Sequence, residues 1–302
     1  MLKEAVTREV EKTLENSGYT ICEYTGCFDV VAKKDKLLLL KILQNIDSFS
    51  EEQAKNLKII ANNLEATAIL IGENTTREKL KDGIVYERFE IPCITPKTLD
   101  SLIAHEIFPK MYRDKGGLYV EIDSAVLKET REKKKLTQRE LAEMVGINKK
   151  VIYEHEKKEL RMILDIAQKL EGILNKKMIK PVDVLAVSRG EIQTHPKDVL
   201  EKDVGSKLSK IGFKIDYVKQ APFDVFAKEK TMIVSDVESN KRKMKKRAAE
   251  LRGFIHTVEK PAVMITEESK EENVEGIPVI KRKDLKELSS KEVVKIAKKA
   301  KK

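Results

Sequence analysis

"LTQRELAEMVGINKKVIYEHE" (Leu136 to Glu156) lies near the middle of a chain of 302 residues. Thr137 followed by Glu140 forms a capping box, in which each side chain satisfies a backbone N–H left orphaned at a helix start. Leu141, Ala142 and Val145 give that helix one apolar face. Gly146 permits the left-handed backbone that a bihelical corner needs, Ile147 plugs the corner, and Asn148 is a natural N-cap for a second helix. There Ile152 points inward and leaves Lys149, Lys150, Tyr153 and Glu154 on other faces. Further helices are expected before and behind, at Ser124–Lys134 and Glu159–Leu174, with Leu127, Ile163, Ala167 and Leu170 as packing partners.

Roughly forty residues complete such a module, so most of the chain needs another explanation. Its composition is that of a globular protein with a heavily ionised surface: 41% hydrophobic, 36% charged and a formal net charge of +10. The positive excess fits a polyanionic partner and is concentrated in "KRKMKKR" (Lys241 to Arg247) and the tail from Lys281 to Lys302. No apolar run approaches the ~20 residues of a membrane span, and the charged, helical N-terminal stretch is unlike a signal peptide. Three cysteines without a CxxC pair (Cys22, Cys27 and Cys93) argue against both a disulfide framework and a structural zinc site. A reducing cytoplasm is the expected compartment, with no membrane partner and no cofactor.

Outward from the centre, the two flanks repeat one another. "SGYTICEYTGCFDVVAKKDKLLLLKIL" (Ser17 to Leu43) returns as "IGFKIDYVKQAPFDVFAKEKTMIVSDV" (Ile211 to Val237), with Gly18 matching Gly212 and "FDVVAK" matching "FDVFAK". "ATAILIGE" at Ala66 matches "KPAVMITEE" at Lys260, and "IPCITPKTLDSL" at Ile91 matches "IPVIKRKDLKEL" at Ile277. Order and spacing hold over roughly ninety residues, which a duplicated domain explains. Each copy reads as an amphipathic helix, three strands, a long polar helix, an apolar strand, a short strand and a closing helix. Apolar strands separated by helices imply a sheet covered on both faces. The expected divisions are 1–115, 116–190 and 191–302, with Gly116-Gly117 as a hinge. The fold class is therefore multidomain: two duplicated α/β domains flanking a central all-α domain of four or five helices.

The central stretch resembles the Cro/phage-repressor type of helix-turn-helix, through Thr137-Gln138, Leu141-Ala142 and Gly146-Ile147-Asn148 in its TQ-x-x-LA-x-x-x-G-(I/V)-(N/S) pattern. That resemblance implies a DNA site made of Thr137, Gln138, Asn148, Lys149, Lys150, Tyr153 and Glu154. Gln138 would touch a phosphate, and the helix from Lys149 would lie in the major groove. The sequence departs from the family after the recognition helix, where Glu156-Lys157-Lys158 replaces the frequent Glu-Arg-Gly. The whole layout, with "GGLYVEID" before the module and "KPVDVL" after it, resembles the archaeal family of helix-turn-helix-type transcriptional regulatory proteins.

The flanks resemble the restriction-endonuclease and Holliday-junction-resolvase fold. Its enzymes carry an Asp on one strand and Glu-x-Lys on the next, to hold Mg²⁺ and activate water. Here Asp29 and Lys41 are in register, but Leu39 takes the Glu position; in the second copy Asp224 remains, while Val234 and Asp236 replace Glu and Lys. These positions read as degenerate, so no catalytic residue and no metal site are expected. Three readings of function compete, one of them a coactivator-like adaptor that bridges basal transcription factors and barely touches bases. The first is a non-enzymatic, sequence-specific transcriptional regulator that binds double-stranded DNA as a homodimer, its flanking domains serving dimerisation, DNA-backbone contact or partner binding. The second is a Mg²⁺-dependent nuclease or junction resolvase targeted by the same module.

Overall fold

Helix α1 (Lys3–Asn16) buries Val6, Val10 and Leu14, one residue per turn, and leaves its charged residues outside. The computed structural model describes residues 3–114, 116–187, 190, 192–267 and 271–300; Lys115, at the expected hinge, and the last two lysines of the tail lie outside the described residues. Contacts divide the chain into two units, one of residues 1–43, 48–70 and 186–302 and the other of residues 44–47 and 71–185. After α1 come β1 (Thr20–Glu23), β2 (Val30–Lys33) and β3 (Leu37–Asn45), paired antiparallel so that Glu23 faces Val30 and Val30 faces Leu40. Helix α2 (Glu51–Leu64) starts at a Ser50/Gln53 capping box with Glu51 and Glu52 in its first turn, where the helix dipole favours acids. The apolar strand β4 (Thr67–Asn74) follows.

The second unit continues with β5 (Ile84–Arg88), β6 (Ile91–Ile94), α3 (Pro96–His105), β7 (Met111–Asp114) and β8 (Gly117–Glu121). Then come α4 (Ser124–Lys133), α5 (Gln138–Val145), α6 (Lys149–Lys157), β9 (Arg161–Ile163) and α7 (Leu164–Leu174). Its strands lie in the order β6-β5-β7-β8-β9. One expectation is corrected here. Residues 161–163 form an edge strand paired with β8, and the helix begins only at Leu164. Strand alternation buries Met162 and turns Ile163 outward at 46% exposure, so Ile163 is not a core partner of the helices. Leu127, Ala167 and Leu170 are buried with Leu141, Val145 and Ile152 in one cluster. Buried Glu171 ties α7 down by accepting the backbone N–H groups of Met178 (2.7 Å) and Ile179 (3.1 Å).

The chain then repeats its opening order in the first unit, as α8 (Val199–Lys210), β10 (Lys214–Tyr217), β11 (Val225–Lys228) and β12 (Met232–Val237). Helix α9 (Lys241–Val258), β13 (Ala262–Thr266), β14 (Asn273–Val274), β15 (Ile277–Lys281) and α10 (Ser290–Ala297) complete it. The sheet runs β10-β11-β12-β13-β15-β14, and Val225 faces Ser235 as Val30 faces Leu40.

Within this unit the turns before β2 and β11 meet backbone to backbone. The Cys27 N–H donates to the Gln220 carbonyl at 2.8 Å, and the Lys219 N–H donates to Asn56 Oδ1 at 2.8 Å. Around them Phe254 of α9 packs on Phe28 and Phe223, with ring centroids 5.8 and 5.0 Å apart. Aromatic pairs at such distances add to the ordinary gain from apolar burial. The approach is close enough to require glycine: a Cβ on Gly26 would lie 2.1 Å from the Gln220 carbonyl oxygen, whereas one on Gly172 in α7 would meet nothing. Gly26→Ala is therefore expected to cost about 1–3 kcal/mol through backbone displacement. Gly172→Ala should stabilise by about 0.5–1 kcal/mol through helix propensity. Urea unfolding of both variants checks the pair; equal effects would place the tight contact elsewhere.

Candidate nucleic-acid interface

The central module is built by caps. Asp123 accepts the Val126 N–H at 3.0 Å and opens α4. The Thr137 hydroxyl accepts the Glu140 N–H at 3.1 Å, and Glu140 accepts the Thr137 N–H at 2.7 Å, closing the box that opens α5. Gly146 ends α5 in the left-handed region (φ 82°), and Asn148 Oδ1 accepts the Lys150 N–H at 2.8 Å to start α6. Helix α6 buries Ile152 and His155; Lys149, Lys150 and Tyr153 are exposed and Glu154 is half-buried. Lys150 and Glu154 approach to 3.8 Å as an exposed i,i+4 pair, worth only a few tenths of a kcal/mol. The Lys157 ammonium lies 4.5 Å from the centre of the Tyr153 ring.

A charged bridge ties α4 to α6. Arg131 of α4, on the buried stripe one turn after Leu127, donates to both Glu156 oxygens at 2.5 and 3.0 Å. It also donates to the Leu136 carbonyl at 2.8 Å. Gln138 donates its side-chain amide to Glu156 at 2.7 Å. The partners hold the Arg131 guanidinium above its ordinary range, mainly through the Glu156 hydrogen bond. The corner at Glu156-Lys157-Lys158 is thus set by Glu156, the residue shared with the family pattern. Arg131 and Glu156 escaped the sequence reading, although a charge on the apolar stripe of α4 is a signal that a buried partner exists.

The nuclease-like positions form two centres in the first unit. Asp29 is 6% exposed and accepts three donors: Lys3 Nζ at 2.9 Å, Lys41 Nζ at 3.2 Å and the Ile42 N–H at 2.7 Å. Lys41 also donates to the Gly26 carbonyl at 2.7 Å. Asp224 repeats the pattern with Lys197 Nζ at 2.7 Å, Arg247 at 3.0 Å and the Val237 N–H at 2.9 Å. Asp236, at the Lys41 position, is fully buried and pairs with Arg247, whose Nε lies 2.6 Å from its Oδ1. Burial, then the neighbouring Asp224, raises the Asp236 carboxyl from its ordinary range. Burial works against the Arg247 charge, but Asp236 and Asp224 outweigh it and raise that group. Cys27, close by, has its thiol pushed up to about 12 by burial, so it is no nucleophile.

A divalent metal does not fit either centre. Mg²⁺ requires near-octahedral oxygen ligands, usually including more than one carboxylate. Asp29 and Asp224 each already face two cationic side chains, Asp236 shares Arg247 with Asp224, and fully buried apolar Leu39 and Val234 stand where a further carboxylate ligand is needed. Among the described residues no three His, Cys, Asp or Glu side chains converge as metal ligands.

Comparison with known proteins agrees with both parts. A PD-(D/E)XK superfamily domain model matches residues 3–109, and a helix-turn-helix model matches residues 127–178. Proteins named "Putative HTH-type transcriptional regulatory protein" are similar along nearly the whole chain. That of Pyrococcus furiosus is 36% identical over 93% of this chain and 92% of its own. That of Pyrococcus horikoshii is 35% identical over 92% of each, and that of Methanocaldococcus jannaschii 31% over 95% and 94%. No solved structure matches. Incubation with linear, supercoiled and four-way-junction DNA in Mg²⁺ and then Mn²⁺ is expected to leave every substrate intact. Cleavage that disappears on Asp29→Ala or Lys41→Ala would contradict the reading of these centres.

Proposed function

Because this chain belongs to the family of archaeal HTH-type transcriptional regulatory proteins, we propose that it is a sequence-specific, DNA-binding transcriptional regulator. The observation that carries the reading is the cap-defined helix pair α5–α6, with Lys149, Lys150 and Tyr153 exposed on the second helix. In this reading α6 enters the major groove. Lys149 and Lys150 reach guanine O6 and N7 or adjacent phosphates, and Tyr153 and Glu154 meet bases or backbone. Thr137 and Asn148 act through their caps. A side-chain amide has two N–H groups; Gln138 gives one to Glu156 and keeps the other for a phosphate. The bridge to Arg131 makes that amide a pre-oriented donor.

The flanks, 1–115 and 191–302 in this proposal, are two copies of one nuclease-like domain that have lost their chemistry and serve as a scaffold. The matching strand registers and the matching three-donor shells of Asp29 and Asp224 support this. The protein works in the cytoplasm as a homodimer, because one such module buries too little DNA surface for tight selective binding and its relatives pair across half-sites about one helical turn apart. Contact with basal transcription factors is a further role open to the scaffold.

Sites selected from random DNA supply the probe for the main test. Replacing Lys149 and Lys150 together by Ala should weaken binding to the selected site by about 2–4 kcal/mol in a mobility-shift titration. Undiminished selectivity in that variant would remove α6 as the reading helix. Light scattering at micromolar concentration should report twice the chain mass; a monomer both free and on DNA would remove the dimer.

A further inference from the structure

The two basic runs of the sequence are not alike once they are placed on helices. The lysines after α10, Lys298 and Lys299, together with Lys295 in its last turn, lie at a helix C-terminus, where the backbone dipole favours positive charge. They need no partner. The run Lys241 to Arg247 opens α9 at the opposite end, where the dipole opposes positive charge, and no acid occupies its first turn. Arg242, Lys243, Lys245 and Lys246 are all exposed. Among the described residues Lys246 alone of these has an ion pair, with Glu250 at 3.7 Å and 83% exposed.

The fold does not require this arrangement. Helix α2 occupies the same place in the order of elements, between the third strand and the apolar fourth, and it carries Glu51 and Glu52 in its first turn. Two helices in equivalent places thus present opposite charges at the same end. The basic one is the less favourable choice for an isolated helix. Packing does not account for it either, since α9 buries Met244, Ala248, Leu251, Phe254 and Ile255 on another side.

Lys243 and Lys246 line a cleft of about 1110 Å³ together with Lys3, Arg8 and Glu11 of α1. Glu23, Asp29, Arg247 and Glu250 line it as well. Burial and the adjacent Glu23 raise the Glu11 carboxyl from its ordinary range. The cleft mixes acidic and basic groups, so its interior offers an anion no net cationic seat, and the exposed side of α9 is the cationic surface open to a polyanion. A repeating chain of phosphates fits that geometry better than a single buried anion.

We propose that the exposed basic face of α9, through Arg242, Lys243, Lys245 and Lys246, is a second, sequence-blind contact of this protein with the phosphate backbone of duplex DNA. The choice of duplex DNA as the polyanion rests on the regulator reading above. Phosphate contacts release condensed counterions, so each one adds about 0.9 to the slope of log affinity against log salt. They carry no base information and leave sequence preference untouched.

The test uses the full chain and a random-sequence duplex, titrated at several salt concentrations. Lys243→Ala with Lys246→Ala should lower the slope by about 1.8 and weaken binding, and Lys243→Arg with Lys246→Arg should restore both. Unchanged thermal melting of these exposed variants shows that the fold is kept. An unaltered slope in the alanine pair overturns the proposal, as does an equal loss in the arginine pair. Polyglutamate bound more tightly than duplex DNA, in a manner abolished by the alanine pair, would assign the face to an acidic protein and overturn it too. Failure of the regulator reading is seen separately. There no selected site is preferred over the random duplex, whatever the α9 variants do.

Discussion

A carboxylate taken out of water must be given charge and hydrogen bonds from the protein, or it will not stay ionised there. This chain meets that constraint twice, at Asp29 and at Asp224, with two cationic side chains and one backbone N–H each. The donors come from three directions: the segment opening the first helix, the next strand, and in the second centre the long helix α9. The aspartates therefore tie helix to sheet in both centres, and Arg247 extends the tie to Asp236. Where an active relative of this superfamily would gather a mobile metal, fixed ammonium and guanidinium groups are in place.

The docked turns before β2 and β11 hold the first unit together. Gly26 against the Gln220 carbonyl and the phenylalanines around Phe254 join the two repeats through backbone and aromatic contact. Such contacts depend on shape, which leaves surface charge free to diverge. The acidic start of α2 and the basic start of α9 belong to that surface.

Much of this was legible in the sequence. The capping box of Thr137 and Glu140, the corner at Gly146 and the cap at Asn148 follow from local backbone chemistry, which the sequence states directly. The recurring order of one helix and three antiparallel strands was legible because apolar strands and turn glycines kept their spacing. Strands β5, β7 and β9 were not. Each has five residues or fewer, and β9 was absorbed into a helical pattern because three residues cannot establish a period of two. The Arg131–Glu156 bridge spans 25 positions, and the partners of Asp29 come from 26 and 12 residues away. No local pattern encodes such distances; only a charge on an apolar stripe hints that a partner must exist.

The central claim is that fixed cations, not a metal, satisfy the two aspartates. The most direct measurement is carboxyl ¹³C NMR of the full chain labelled at aspartate, with Asp29→Asn and Asp224→Asn used to assign the two signals, during titration with paramagnetic Mn²⁺. The account predicts that both signals stay sharp while exposed carboxylates such as Asp35 and Asp114 broaden first. Selective broadening of Asp29 or Asp224 at low Mn²⁺ would mean that a metal displaces the lysines, and would contradict it.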